Sequence, residues 1–470
     1  MGQIWAVARN LIVETLRIRS LVIFIMIVLG ILTVGFAFWL HGSSGIGDGK
    51  VQTFLSHSLR FSFNFLSFLT IFISIASLSR DIKQREIYTI VTKPISRGQI
   101  YFGKFLGIAL LNLILLGFTG TAIYATAQIL ARTEVKTNAE RRRLEELILT
   151  ARRTVRPSVH GVEEKEIEAK ARQEIEKDIE YGLEEFPTRD VVAVERKRSK
   201  ASLEKKITEL TNLTRSAPPF GSVTFHFEGI KPADRVNGRV YIRYRQDVSP
   251  TPPSMSLVNL WYFGPKADVL STEQPFQNQG AIRTVHEFPI PGDKVSESGD
   301  LYVTYRNLGN GPTKVIYPLP TRLQKVHGIE ALYVACSFES NFFRALLSMY
   351  IRLLFLGMLG VAAGGYLSFP VGILLVLTIY ILGLSSEFLV QAMNWQLATT
   401  REMTSVSKVI MLMFPQFGTY DPVPEIEKGK IVEFAVIGKC LLYMLVIKGG
   451  VAVFAGYLLF RFRELARVIV

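Results

Sequence analysis

The placement of the apolar residues constrains this chain most. Long, nearly uncharged apolar runs lie toward both ends, and a densely charged block separates them. A run of about 18 residues or more can cross a bilayer core of roughly 30 Å as a helix. Six stretches fit that description: 21–40, 61–78, 105–130, 345–367, 371–390 and 437–460. Mean hydropathy is +0.27 and 49% of the 470 residues are hydrophobic, high for a water-soluble chain of this length. Arg9, Arg17 and Arg19 precede the first run, as basic residues precede a secretory leader. The run is too long for a leader, however, and Phe38, Trp39 and Leu40 stand where a cleavage site needs small residues, so it is expected to stay in the chain as a span.

Asn64 interrupts the second run, and three further polar residues stand out inside the runs: Asn112 in the third, Arg352 in the fourth and Lys448 in the sixth. A charged side chain at mid-bilayer costs roughly 2.5–3.5 kcal/mol on insertion scales. Arg352 is therefore expected to face protein or to snorkel to an interface. For Lys448 two readings stand: it faces a partner helix or polar cavity, or it snorkels from a tilted helix.

Loop charge sets the expected orientation. Arg9, Arg17 and Arg19 precede the first run; Arg80, Lys83, Arg85, Lys93, Arg97 and Lys104 lie between the second and third; Arg461, Arg463 and Arg467 follow the sixth. The loop 41–60 offers only Lys50 and Arg60. Basic loops stay cytoplasmic, so both termini and the segment 79–104 are expected there, with 131–341 and the loop 391–433 extracytoplasmic. Ahead of the first run, Ile4, Trp5, Ala8, Leu11, Ile12 and Leu16 recur at helical spacing. They predict an amphipathic helix along the cytoplasmic surface, or else a plain extension of the first span.

The middle block changes character part-way. Residues 131–217 carry dense charge of both signs with a thin apolar stripe, as in Glu166 with Lys170, and predict a solvated helical stalk. From 218 to 341 the apolar period becomes two: Val223, Phe225 and Phe227; Val240, Ile242 and Tyr244; Leu301, Val303 and Tyr305. Turns such as Asn237-Gly238 and Pro291-Gly292 separate these runs, which predicts a β-sandwich. It is suited to binding sugar, lipid or protein, or to serving as a spacer. The predicted fold is thus an α-helical polytopic membrane protein with six spans and an inserted extracytoplasmic domain of charged helices plus a β-sandwich. Residues 1–130 hold the amphipathic helix and three spans, and residues 342–470 hold the other three.

No catalytic or metal constellation stands out. His41, His57, His160, His226, His286 and His327 lie far apart, and Cys336 and Cys440 form neither a disulfide framework nor a zinc pattern. The basic excess lacks the aromatic interleaving of nucleic-acid binders, so no nucleic acid is expected. Gly98-Gln99-Ile100-Tyr101-Phe102-Gly103-Lys104 matches most of a phosphate-binding Walker A loop, but Phe105 occupies the place of the Mg²⁺-binding hydroxyl. If ATP drives this protein, another chain binds it.

The connector between the second and third spans carries Arg85, Glu86, Thr89, Lys93, Pro94, Ile95, Ser96, Arg97, Gly103 and Lys104 in an order that resembles the ABC-2 type transporter permeases, especially their NosY-like branch. Ala8-Arg9-Asn10 with Glu14, Arg17 and Arg19 resembles that family's entry helix, and Phe414-Pro415-Gln416-Phe417 with Asp421 its outer segment before the last span. Tyr88 departs from the family's usual glycine, and the block 131–341 is an insertion relative to ordinary members. The resemblance implies a permease subunit of the bacterial inner membrane, itself no enzyme and without a cofactor of its own. It implies pairing as a homodimer or heterodimer, and a separate ABC ATPase that holds ATP and Mg²⁺. Membrane lipids are further partners, and a periplasmic partner or substrate at the β-sandwich is left open. Arg85, Glu86, Thr89, Lys93, Pro94 and Arg97 would couple ATPase motion to export or extraction of an unnamed substrate. Two alternatives stand beside it: an ABC-type mechanotransmission or anchoring complex acting through the outer domain, and a membrane-tethered binding or sensor protein without an ATPase.

Overall fold

A computed structural model describes residues 2–17, 47–83, 96–133, 144–159, 216–231, 238–248, 255–309, 313–315, 329–386 and 415–462, with a few isolated residues between them. The chain divides into two compact units, one of residues Met1–Ala151 with Cys336–Val470 and one of Arg152–Ala335. The first is helical: α1 (Gly2–Arg17), α2 (Gly47–Lys83), α3 (Arg97–Thr133), α4 (Phe338–Tyr366), α5 (Phe369–Leu384), α6 (Val423–Glu427), α7 (Phe434–Cys440) and α8 (Gly450–Phe462). A π-helical stretch, Leu441–Gly449, joins α7 to α8.

Among the described residues, four helices are long and apolar enough to cross a membrane: α2, α3, α4 and the composite Phe434–Arg461. Leu113, Ile114, Phe118, Ile129, Val451 and Phe454 stand exposed on them, as a lipid-facing surface would. The chain thus carries the helices of a membrane protein, together with a β domain. Nearly all of the run 21–40 lies outside the described residues. The run 371–390 is represented by α5, whose 16 apolar residues end at Leu384.

The loop expected over 41–60 is corrected by α2, which already begins at Gly47 and has 37 residues. Val51, Phe54, Leu55 and Leu59 are buried at helical spacing and extend the core of the bundle, although Lys50, Gln52, Ser56 and Arg60 keep this stretch polar in sequence. At about 1.5 Å per residue α2 and α3 each run about 55 Å, longer than a hydrocarbon core. Helices α2 and α4 meet closely: a Cβ on Gly364 would stand 2.6 Å from the Ile75 carbonyl oxygen. The buried hydroxyls of Ser67 and Thr70 donate to backbone carbonyls one turn earlier, Phe63 and Leu66, so they cost the bundle little.

Within the segment expected as an outer loop over 391–433, residues 415–433 fold into the helical core. Phe417, Val423, Ile426 and Val432 are buried with α2 and α4 residues in one cluster. Gly429 has a φ of +60°, and a Cβ there would overlap the Leu147 carbonyl oxygen, so that corner requires glycine.

The second unit holds two sheets. One has the strand order β1-β11-β5-β10-β3 with β8 also paired to β5; the other runs β2-β4-β9-β6-β7. Their strands are β1 (Ala151–Val155), β2 (Ser158–Val159), β3 (Ser216–Ala217), β4 (Ser222–Phe227), β5 (Arg239–Val248), β6 (Ser256–Gly264), β7 (Phe276–Ala281), β8 (Val285–Pro291), β9 (Leu301–Arg306), β10 (Thr313–Val315) and β11 (Glu330–Cys336). The period-two residues of both sheets point into one shared core, centred on the fully buried Trp261 against Tyr244, Phe288 and Tyr305. The helical stalk expected over 131–217 is corrected over 151–159, which form β1 and β2; Leu144–Ile148 form a π-helical turn, and the isolated described residues Glu140, Arg141, Ala169, Gln173, Glu176 and Lys177 are helical. Most of 160–215 lies outside the described residues. Arg152 explains why a charged stretch becomes a strand. Its side chain is buried, lies over the Tyr241 ring and pairs with Glu287 at 2.5 Å, and Glu287 also binds Arg243 at 2.8 Å. Burial pushes the Arg152 guanidinium below its ordinary value, and Glu287 offsets part of that.

Candidate functional site

The connector joins the end of α2 to the start of α3. Arg85, Glu86, Thr89, Lys93 and Pro94 lie outside the described residues; the two helix ends that hold the connector are described in full. Asp81 in the last turn of α2 and Lys104 of α3 form an ion pair of 2.7 Å, with both side chains about 5% exposed. Lys104, the residue that completes the Walker-like run, is therefore spent on clamping two helices. Helix α3 starts with a capping box: the Ser96 hydroxyl accepts from the Gln99 amide, and the Gln99 side chain accepts from the Ser96 amide at 2.9 Å. Pro94 two residues upstream suits such a start.

Two other elements brace this end. Arg97 donates to the Arg461 carbonyl at 2.6 Å, tying α3 to the C-terminal end of α8. Beside it Tyr101 is fully buried among the rings of Phe102, Tyr457 and Phe460. On the other flank α1 lies against Gly103 and Gly107, whose four-residue spacing opens a flat track on α3. A Cβ on Gly103 would stand 2.7 Å from the Val7 Cβ, and one on Gly107 would stand 3.0 Å from the Ala8 carbonyl. The apolar face expected for α1 is shifted accordingly: Ala8 and Leu11 are buried, whereas Trp5 is exposed.

The three polar residues expected within the membrane, Asn112, Arg352 and Lys448, are not brought together. Asn112 is buried, with its Oδ1 2.8 Å from the Thr70 hydroxyl, and its Nδ2 has no partner among the described residues. Arg352 faces protein. Its guanidinium lies 4.0 Å over the Phe63 ring and donates to Asp421 Oδ1 at 3.2 Å. Asp421 belongs to the infolded segment, which Asn341 also holds by bonding Lys430 O and Val432 N at 2.8 and 2.7 Å. Lys448 is half-buried in the π-helical stretch.

Sequence reasoning missed Asp81, the pairing of Asp421 with Arg352, the Ser96–Gln99 box and the Gly103–Gly107 track. The last two have local spacing signatures; the two aspartates are single acids whose partners are set by the fold. Among the described residues no three His, Cys, Asp or Glu side chains converge as metal ligands. No family model matches this chain, and no curated protein matches it.

Proposed function

We propose that this chain is the membrane-spanning permease subunit of an ABC-2 type transporter, in which a separate ATPase drives export or extraction of a substrate. In this reading six helices span the bacterial inner membrane, both termini and the connector are cytoplasmic, and 131–341 are extracytoplasmic. The subunit works as a dimer, holds no nucleotide and catalyses nothing itself. The observation that supports it is the bracing of the connector. A buried ion pair ties the two helices at the ends of a short basic segment to each other, and a capping box, the α1 track and the Arg97–Arg461 bond fix the start of the second. Such a mounting suits a segment that a second protein pushes on, because a displacement there moves α2 and α3 together.

One observation favours the mechanical alternative. A single residue, Ser337, separates strand β11 from α4, and its side chain caps the helix by accepting from the Ser340 amide. A strand followed this directly by a helix in the chain suits that alternative. Co-purification from native membranes tests the leading reading: reversing the charges of Arg85 and Glu86 should abolish capture of an ATPase bearing a complete Walker A motif while leaving expression intact. Unchanged capture sinks the reading. Stimulation of that ATPase by a transported molecule, rather than by a soluble protein alone, separates transport from mechanical work.

A further inference from the structure

The β unit has two unlike ends. The chain leaves at Ala335, and β11 pairs with β5 so that Tyr333 meets Val240; the exit therefore lies at the Arg239 end of β5, and the entry residue Arg152 lies over the Tyr241 ring of the same strand. The opposite end, beyond Val248, gathers the turn 218–221, the start of β6, the turn 282–284 and the segment after β9. Register fixes this: Ser222 and Leu260 both pair with Arg306, Ser256 pairs with Ala281, and Arg245 pairs with Val285. Extending the two Arg306 registers by two residues puts Phe220, Leu308 and Val258 at one level across β4, β9 and β6. All three are large, apolar and exposed, Phe220 at 64%, and Met255 just beyond is 51% exposed.

The backbone holds these side chains out of the core. Three non-glycine residues have positive φ among the described residues: Phe220 at 56°, Met255 at 50° and Arg283 at 64°. All three sit in the turns of this one end, and backbone strain of this kind collects where a side chain is held for contact. Hydrogen bonds fix the turns: Asn307 N donates to Gly221 O, Asn307 Nδ2 to Pro218 O, and Ile282 N to Met255 O.

Charge follows the same axis. The apolar end carries Arg245, Arg283 and Arg306, beside the register partners Lys314 and Asp247. At the junction end the acids Glu228, Asp268, Glu273, Asp293, Glu297 and Asp300 offset Arg152, Arg153, Lys231, Arg239, Lys266 and Lys294, so the basic excess lies at the apolar end. Leu270 and Phe276 are exposed at the junction end, but Phe276 stacks on Phe288 at 5.1 Å.

We infer that the loop end bearing Phe220, Val258, Met255 and Leu308, fringed by Arg283 and Arg306, docks on an anionic lipid bilayer. Apolar side chains projecting from several turns can sink into the headgroup boundary, while basic neighbours meet lipid phosphates. A protein partner would be served equally by the apolar row, but a basic fringe with one carboxylate matches a surface of uniform negative charge.

The test uses the full chain in phosphatidylcholine nanodiscs, mixed with floating vesicles of phosphatidylcholine alone or with phosphatidylglycerol added. Flotation is expected with the anionic vesicles only, and it should weaken as salt rises. Phe220→Ser with Leu308→Ser should weaken it at least about tenfold, and Arg306→Ala about fivefold. Leu270→Ser should leave it unchanged, and an unaltered near-ultraviolet signal from Trp261, read with Trp5, Trp39 and Trp395 changed to Phe, should certify the fold of each variant. Absence of flotation with anionic vesicles, equal flotation with neutral ones, insensitivity to the Phe220 and Leu308 changes, or capture of a protein at this end without vesicle binding would each overturn the proposal.

Discussion

Arg352 stands 14 residues into α4, about 21 Å from its start by helical rise, and is almost wholly buried. Three groups make it tolerable: the Asp421 carboxylate, the Phe63 face and the Phe417 ring. Asp421→Asn should therefore destabilise the helical unit by roughly 3 kcal/mol or more, because it leaves a buried cation uncompensated. Adding Arg352→Met should recover most of the loss; thermal unfolding of the two variants in detergent measures both. If the double variant is as unstable as the single, the ion pair is not what Asp421 contributes. In the β unit Asp300 offers a pH test. The Ser298 hydroxyl, and after it His226, hold the Asp300 carboxyl below its ordinary value. A depressed carboxyl stabilises the fold fully above its unfolded pKa, near 3.9, and loses that contribution as pH falls through the lower folded value. Asp300→Asn should lower the melting temperature of the β unit at neutral pH and flatten its decline below about pH 4. A wild-type slope in the variant would show that other carboxylates govern the acid limb.

Close approach decides how the elements pair. Val in place of Gly107 should force α1 off α3, at a cost of about 1–3 kcal/mol for overpacking, whereas the same change at Gly117, which meets nothing within 4 Å, should be silent. Tryptic cleavage at Arg9 and Arg17 reads the difference: fast in the Gly107 variant, slow in the Gly117 variant and the parent. These elements also show what a sequence can display. Helices α3 and α4 were legible because their apolar residues are continuous, and β4, β5 and β9 because theirs alternate. The first half of α2 was not, since its buried Val51, Phe54, Leu55 and Leu59 are diluted by polar residues on the other faces. Segment 415–433 looked like a loop because its stability comes from Arg352, Asn341 and Gly383, which are distant in sequence; Phe417 N, for example, donates to Gly383 O. Strand β1 was hidden because Arg152 finds its carboxylate 135 residues away. The candidate site was half legible: the connector announced itself by charge and by Pro94, while the Asp81 clamp needed the fold.

The molecule as a whole is two compact units, each with its own apolar core, and that partition makes the connector frame testable in isolation from the β unit. Separate cores favour separate unfolding transitions, so damage to one should leave the other in place. Lys104→Gln removes the cation from a pair whose side chains are almost wholly buried, leaving Asp81 charged and unpaired between α2 and α3. Breaking a pair of this kind costs roughly 3–5 kcal/mol. The helical unit should therefore unfold at a lower temperature, and trypsin should cut faster at Lys83 and Arg97, which flank the clamp. The β-unit transition, followed through Trp261 in a background with Trp5, Trp39 and Trp395 changed to Phe, should stay where it was. Exchanging the two residues, Asp81→Lys with Lys104→Asp, restores opposite charges across the same gap and should return most of the protease resistance. If the exchange fails while each single variant is tolerated, the clamp acts through shape and not through charge. If the β-unit transition moves together with the helical one, the two units are thermodynamically one body, and force applied at the connector would reach the sandwich directly.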